Sequence, residues 1–206
     1  MNQKIIKNTL ILTAITLISG LLLGFVYEIT KEPIAASREN RKQEAYHTVF
    51  QEAETFQTFE AFEEKEAEEI LRNAGVSGCY VNEAALALDS RENAIGSVVT
   101  ATSKEGYGGE IKVSVGITLD GTVTGIELLP ISETAGLGMN AQEPEFKEQF
   151  QDVNTDHFEV VKGDGGKEGK IDALSGATIT TDAVTNAVNA AVAYYHGAME
   201  GGSVNE

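Results

Sequence analysis

Three short stretches of the chain hold residue types that plain structural duty does not require. They are Gly106-Tyr107-Gly108-Gly109, Glu133-Thr134-Ala135-Gly136-Leu137-Gly138, and Asp172-Ala173-Leu174-Ser175-Gly176-Ala177-Thr178-Ile179-Thr180-Thr181. Glycine lets a backbone N–H approach a ligand closely and tolerates positive φ. Hydroxyls and free N–H groups at a helix start bind phosphate. The third stretch runs into a helical pattern, so it reads as a phosphate cradle. It reads equally as a Gly-Ala turn with a Ser/Thr cap, and residue type alone leaves both readings open. It lacks the Lys of a Walker loop, so nucleotide hydrolysis is not implied. A Thr hydroxyl is a poor nucleophile without activation. No His or Cys lies near Thr178 in sequence, and Asp172 is the nearest acid.

Other chemistries are excluded by composition. The single cysteine, Cys79, rules out an intramolecular disulfide and any Cys-built zinc or iron–sulfur centre. It reads as a small buried hydrophobe. The three histidines, at 47, 157 and 196, lack ligand-like spacing. Fifteen Lys and Arg against 32 Asp and Glu give a net charge of −17. No basic footprint remains for nucleic acid or for anionic lipid. Glu60, Glu63, Glu64, Glu66, Glu68 and Glu69 read as a solvated helix face rather than a metal cluster. Neither catalytic residues nor metal ligands are expected.

The elements that must position the three stretches follow from periodicity. Thr9–Tyr27 carries no charge and is just long enough to cross about 30 Å of hydrocarbon as a helix. It lacks the small-residue exit of a cleaved signal peptide, so it is expected to remain as an anchor. Lys4 and Lys7 face Lys31, Arg38, Arg41 and Lys42 across it, and the charge count leaves orientation open. Pro33 predicts a break at the membrane exit. Residues 35–71 contain no Pro or Gly and predict helix, with Phe50, Phe56, Phe59 and Phe62 as an intermittent apolar face and Gly75 and Gly78 closing it. From Cys79 the pattern changes to strands. Residues 94–102 predict one strand. Ile111, Val113, Val115 and Ile117 alternate with smaller or polar residues and predict a half-buried second strand. Asp120-Gly121 predicts a hairpin, with Val123, Ile126 and Leu128 on the return. Ala183, Val184, Ala187, Val188, Ala191 and Val192 recur at helical spacing and predict a helix over 182–196, capped by Thr180 or Thr181, with Asp182 at its positive end. Tyr194 and Tyr195 read as core and surface residues of that helix. The fold class is α+β on a membrane stalk: anchor 1–30, helical approach 31–75, domain 76–198 and a flexible tail 199–206.

Taken in order, Gly-Tyr-Gly-Gly, Glu-Thr-x-Gly-Leu-Gly and Asp-x-x-Ser-Gly-Ala-Thr resemble the FMN-binding domain of the G subunit of Rnf-type electron-transport complexes. The C subunit of sodium-translocating NADH:quinone reductase shares that domain. The resemblance covers residues 76–196, and the anchor extends it to nearly the whole chain. Ala135 stands where the family often has Pro, which loosens the loop without removing a ligand group. The resemblance implies FMN held covalently by a phosphoester to Thr178. It implies a separate flavin transferase that uses FAD and a divalent metal and releases AMP. Asp172, Ser175, Gly176 and Ala177 would be partly its recognition sequence. The phosphodiester would lie near Thr180 and Thr181. The loop with Glu133, Thr134, Gly136, Leu137 and Gly138, and the stretch Gly106, Tyr107, Gly108 and Gly109, would lie along the isoalloxazine or ribityl, with Leu137 against the ring. The family places this domain outside the cytoplasm, on a single-pass anchor in the cell (inner) membrane. The implied function is an electron relay in a complex that couples ferredoxin:NAD electron transfer to Na+ or H+ movement. Its partners would be the other subunits. A quinone-reductase subunit, a stand-alone flavin carrier and a non-redox membrane-tethered assembly module are the alternatives.

Overall fold

A computed structural model describes residues 3–163, 165 and 168–200. The chain divides into two units, 1–42 and 43–206.

Helix α1 spans Gln3–Val49, and its first forty residues make up the first unit. Leu10, Leu12, Leu17, Leu21, Leu23 and Phe25 are all exposed there. A helix apolar all round, with no protein around it, is long enough and apolar enough to cross a membrane. Three of its hydroxyls are satisfied within the helix. Thr9, Thr16 and Thr30 each donate to the carbonyl four residues earlier, which hydrocarbon would otherwise leave unpaired. The expected break at Pro33 is absent, because the helix continues through it. A proline ring removes one hydrogen bond at a cost of about 3 kcal/mol. The Ala, Glu, Arg, Gln and Lys residues after it are strong helix formers that carry the helix onward.

The second unit is a six-stranded antiparallel sheet in the order β1-β2-β3-β4-β5-β6, comprising Thr55–Thr58, Cys79–Leu88, Ala94–Ser103, Ile111–Thr118, Thr122–Leu128 and Val153–Asn154. A parallel pair, β7 (Glu159–Val161) with β8 (Lys170–Asp172), stands apart from it. The helix expected without interruption over 35–71 is not continuous. It ends at Val49, gives way to β1, and resumes as α2 over Glu64–Asn73. The phenylalanines explain the break, since they serve two faces of the sheet. Phe50 and Phe56 pack with Tyr46, Val49, Ala85, Ala87 and Val98 on one face, whereas Phe59 and Phe62 pack against the main core on the other. No single helix presents four residues to both faces. Residues 43–75 thus belong to the sheet unit rather than to a helical approach. The glutamates of 60–69 are all exposed, and α2 ends on Gly75 at φ +73°, with Val76 N–H bonded to the Leu71 carbonyl.

β4 is buried on both faces, not half-buried. Val113, Val115 and Ile117 face the main core, while Ser114 is also fully buried and shares a hydrogen bond with Thr100 across the strand pair. The reason is Gly116. A Cβ there would stand 2.5 Å from the Val49 carbonyl, so only glycine lets the end of α1 lie on the sheet. The hairpin forms at Asp120-Gly121, with Gly121 at φ +83°.

Helix α4 runs Thr178–Tyr194, starting four residues before the expected Asp182, and continues as a π-helical turn over Tyr195–Met199. Apart from the partly buried Ala193, its Ala and Val residues are buried against β2, β3 and β4, each Val contributing about 1.5–3 kcal/mol. The small side chains bring the helix close, and α2 and β7 cover its other sides. Most of the tail expected over 199–206 lies outside the described residues, and Met199 is buried.

Candidate functional site

Helix α4 begins without a side-chain cap. Ala177 is its N-cap, and the first helical hydrogen bond runs from Thr181 N–H to the Ala177 carbonyl. The N–H groups of Thr178, Ile179 and Thr180 therefore have no partner inside the helix. The expected capping by Thr180 or Thr181 does not occur, because both lie within the first turn. Thr181 donates to the Ala177 carbonyl and accepts from Leu174 N–H, which folds the Leu174–Ala177 turn back over the helix start. Thr180 is buried and donates to Glu133. Thr178 alone among the three threonines is exposed, at the first position of the helix.

All three sequence stretches converge on this end of α4. A cleft of about 510 Å³ is lined by Tyr107, by Glu133, Thr134, Leu137 and Gly138, and by residues 176–180. Its rim is apolar and open: Tyr107 is 71% exposed, Ile179 54% and Leu137 42%. Few large apolar side chains of the sheet unit are this exposed, and three of them meet at one cleft, which marks a ligand surface rather than ordinary scatter.

Glu133 ties the stretches together. It is 8% exposed. Its Oε1 accepts from Gly108 N–H at 2.9 Å and its Oε2 from the Thr180 hydroxyl at 3.0 Å. One carboxylate thus joins the first stretch, the second stretch and helix α4. Gly138 sits beneath it. A Cβ there would stand 2.6 Å from both Glu133 Oε2 and Thr180 Oγ1.

Several residues singled out in the sequence stand behind the cleft wall or away from it. Gly106, Gly108, Gly109, Gly136, Ser175 and Thr181 do not line the cleft. Gly136 shapes a turn at φ +74°, with open space where a side chain would be. Asp172 ends β8, where its N–H donates to Gln149 Oε1, and its Oδ1 is buried without a partner among the described residues. Asp182 stands one turn into α4, outside the cleft, and its carboxyl is pushed above the usual range by burial and then by Glu105. Cys79 is half-buried, with its thiol pushed up by burial. Tyr194 and Tyr195 are both core residues. Ile179 is the lining residue that sequence reasoning missed. Its signal was an apolar, β-branched side chain amid small and polar neighbours at a helix start.

A helix start with free N–H groups, an exposed hydroxyl and an apolar rim defines a site for a phosphate-bearing aromatic ligand. The chain matches the FMN-binding domain family over residues 106–193 and the RnfG N-terminal region over residues 1–49. It is 35% identical to the G subunit of the proton-translocating ferredoxin:NAD(+) oxidoreductase complex of Clostridium ljungdahlii, over 88% of this chain and 86% of that protein. It is 30% identical to the G subunit of the ion-translocating oxidoreductase complex of Methanosarcina acetivorans, over 94% and 95%. With the G subunit of the Na(+)-translocating ferredoxin:NAD(+) oxidoreductase complex of Acetobacterium woodii the identity is 31%, over 94% and 92%. The crystal structure of Shewanella oneidensis NqrC aligns at 21% identity and a TM-score of 0.48, over 56% of this chain and 58% of that one. The protein is therefore an FMN-binding-domain protein. More narrowly, it belongs to the family of G subunits of ion-translocating oxidoreductase complexes.

Proposed function

We propose that this chain is the membrane-anchored electron carrier of a complex that couples ferredoxin:NAD electron transfer to ion movement, with FMN held covalently on Thr178. The observation that carries this reading is the position of Thr178, exposed at the first residue of α4 and inside the cleft where the three stretches meet. Thr180 and Thr181 already spend their hydroxyls on Glu133 and on the Ala177 carbonyl. Bound FMN supplies reversible redox chemistry that the twenty side chains lack. The chain's own residues hold and shield it. The free N–H groups of Thr178, Ile179 and Thr180 and the positive end of α4 stabilise phosphate charge. Tyr107, Leu137 and Ile179 offer apolar surface to an aromatic ring and exclude water from one side of it. Glu133 donates nothing to the ligand and keeps the three loops in register.

The exposed hydroxyl lacks a nearby His or Cys base within the cleft lining, which fits attachment by a separate flavin transferase. Covalent attachment suits a carrier whose domain lies outside the cytoplasm, where a lost flavin is not replaced. The apolar part of α1 would anchor it there. The ions move elsewhere in the complex, and this chain passes electrons between neighbouring redox subunits.

The chain, expressed with a flavin transferase and run on a denaturing gel, should show a fluorescent band under ultraviolet light and a flavin absorbance that survives denaturation. A colourless, non-fluorescent chain from transferase-containing cells would overturn the covalent-carrier reading.

A further inference from the structure

A second cleft, of about 500 Å³, lies beside the first between β7 and the first two turns of α4. Ile179 lines both. Glu105, Glu159 and Asp182 bring three carboxylates to it, with His157, Thr185 and Asn186. Among the described residues none of the three carboxylates forms an ion pair. Lys104, next to Glu105 in sequence, points instead over the Tyr80 ring. Glu105 is held by Asn186, whose Nδ2 donates to Glu105 Oε2 at 3.1 Å. Asp182 is close enough for that charge to oppose its ionisation.

An acidic cleft can be a solvated surface, but Thr185 says otherwise. It lines the same cleft, it is only 2% exposed, and its hydroxyl has no hydrogen-bond partner among the described residues. A buried hydroxyl without a partner costs about 1–3 kcal/mol, so the free chain leaves this cleft unfinished. The described residues form no cluster of three or more His, Cys, Asp or Glu able to hold a metal ion.

We infer that this cleft receives an arginine side chain from a neighbouring subunit of the complex. A planar guanidinium carries five N–H donors in a fixed fork and no acceptor. It can meet Asp182 and Glu105 together and still donate to Thr185. A lysine ammonium, a compact point charge, reaches fewer of these acceptors. The carboxylates also steer a basic surface toward this side of the domain. Because Ile179 belongs to both clefts, a subunit anchored here has its surface against the rim of the cofactor cleft. That consequence rests on the electron-carrier reading; the docking itself does not.

The test is co-purification of the other subunits with the tagged full-length chain from detergent-solubilised membranes, across a salt series. Asp182→Lys should weaken retention of the partner subunit by about tenfold or more, with its midpoint at lower salt. Glu54→Lys, an exposed change elsewhere on the domain, should leave retention unchanged. Thr185→Val, which keeps the shape and removes the hydroxyl, should weaken retention by a smaller factor. Thermal melting checks that each variant folds; if Asp182→Lys does not, Asp182→Asn combined with Glu105→Gln carries the same expectation. Equal retention in all variants, or equal loss with Glu54→Lys, overturns the inference. In-gel flavin fluorescence is read on the same samples. A chain without flavin that still shows the Asp182 effect would sink the carrier reading and leave the docking site standing.

Discussion

The two ends of helix α4 are built from similar small residues and do opposite things. The C-terminal half buries Ala187, Val188, Ala191, Val192 and Tyr194 completely or nearly so. The N-terminal turn leaves Thr178 and Ile179 open, with free N–H groups and no cap. Covering makes the difference. The sheet and α2 close over the C-terminal half, while the loops at the other end stop short and leave a cleft. A helix pinned so firmly at one end can present an unfinished turn at the other, because the packing holds the turn in place.

Substitutions at the two ends should separate cleanly. Thr178→Ala should abolish covalent flavin and leave the melting temperature nearly unchanged, because an exposed hydroxyl and methyl are lost. Val188→Ala should do the reverse, costing about 2–3 kcal/mol from lost burial and a cavity while flavin attachment persists. Gel fluorescence paired with thermal melting reads both. A normal fluorescent band in Thr178→Ala would move the attachment site.

Gly138→Val probes the tie between the ends. Its side chain would run into Glu133 and Thr180, costing about 1–3 kcal/mol and loosening the cleft. Redox titration of the flavin-bearing chain should show a shifted potential. Gly136→Val, which meets no neighbour, should strain the turn and leave the potential alone. Identical potentials in both variants would remove the second stretch from the ligand site.

Tyr194→Phe sharpens the buried end. The hydroxyl has no partner among the described residues, and burial, then the Glu66 charge, pushes the phenol up to about 12. Removing it should leave stability unchanged or raise it by up to about 1 kcal/mol. A clear loss in urea unfolding would mean that the hydroxyl is satisfied.

The smallest effect should come from Asp182. Burial, then Glu105, raises its folded pKa, so the folded chain holds that proton more tightly than the unfolded one. Ionisation at neutral pH therefore opposes folding. Asp182→Asn should stabilise the free chain by a few tenths of a kcal/mol at neutral pH, after allowance for solvent screening. The gain should vanish below the carboxylate range, where both states are protonated. Asp120 has the opposite sign. The Thr118 hydroxyl lowers its pKa, so its contribution is present at neutral pH and is lost as pH falls through the folded value. Melting curves across pH distinguish the two.

The periodic elements were legible in the residues. The apolar run, strands β3, β4 and β5, the Asp120-Gly121 hairpin and the core face of α4 each repeat a local pattern with a period set by backbone geometry. The three glycine-bearing stretches were legible as exceptions to it. Composition also excluded an intramolecular disulfide, since a single cysteine has no partner in the chain. Tertiary structure decided the rest. Pro33 stays helical, the four phenylalanines divide between two faces, and β4 is covered twice, because each depends on partners distant in sequence. The short segments between 138 and 172 carry no period long enough to read. The meeting of Gly108, Glu133 and Thr180 through one carboxylate rests on separations of 25 and 47 residues, which no local pattern encodes. The sequence named every residue of the cleft lining but Ile179; the covering of one helix end and the exposure of the other made Thr178 reachable.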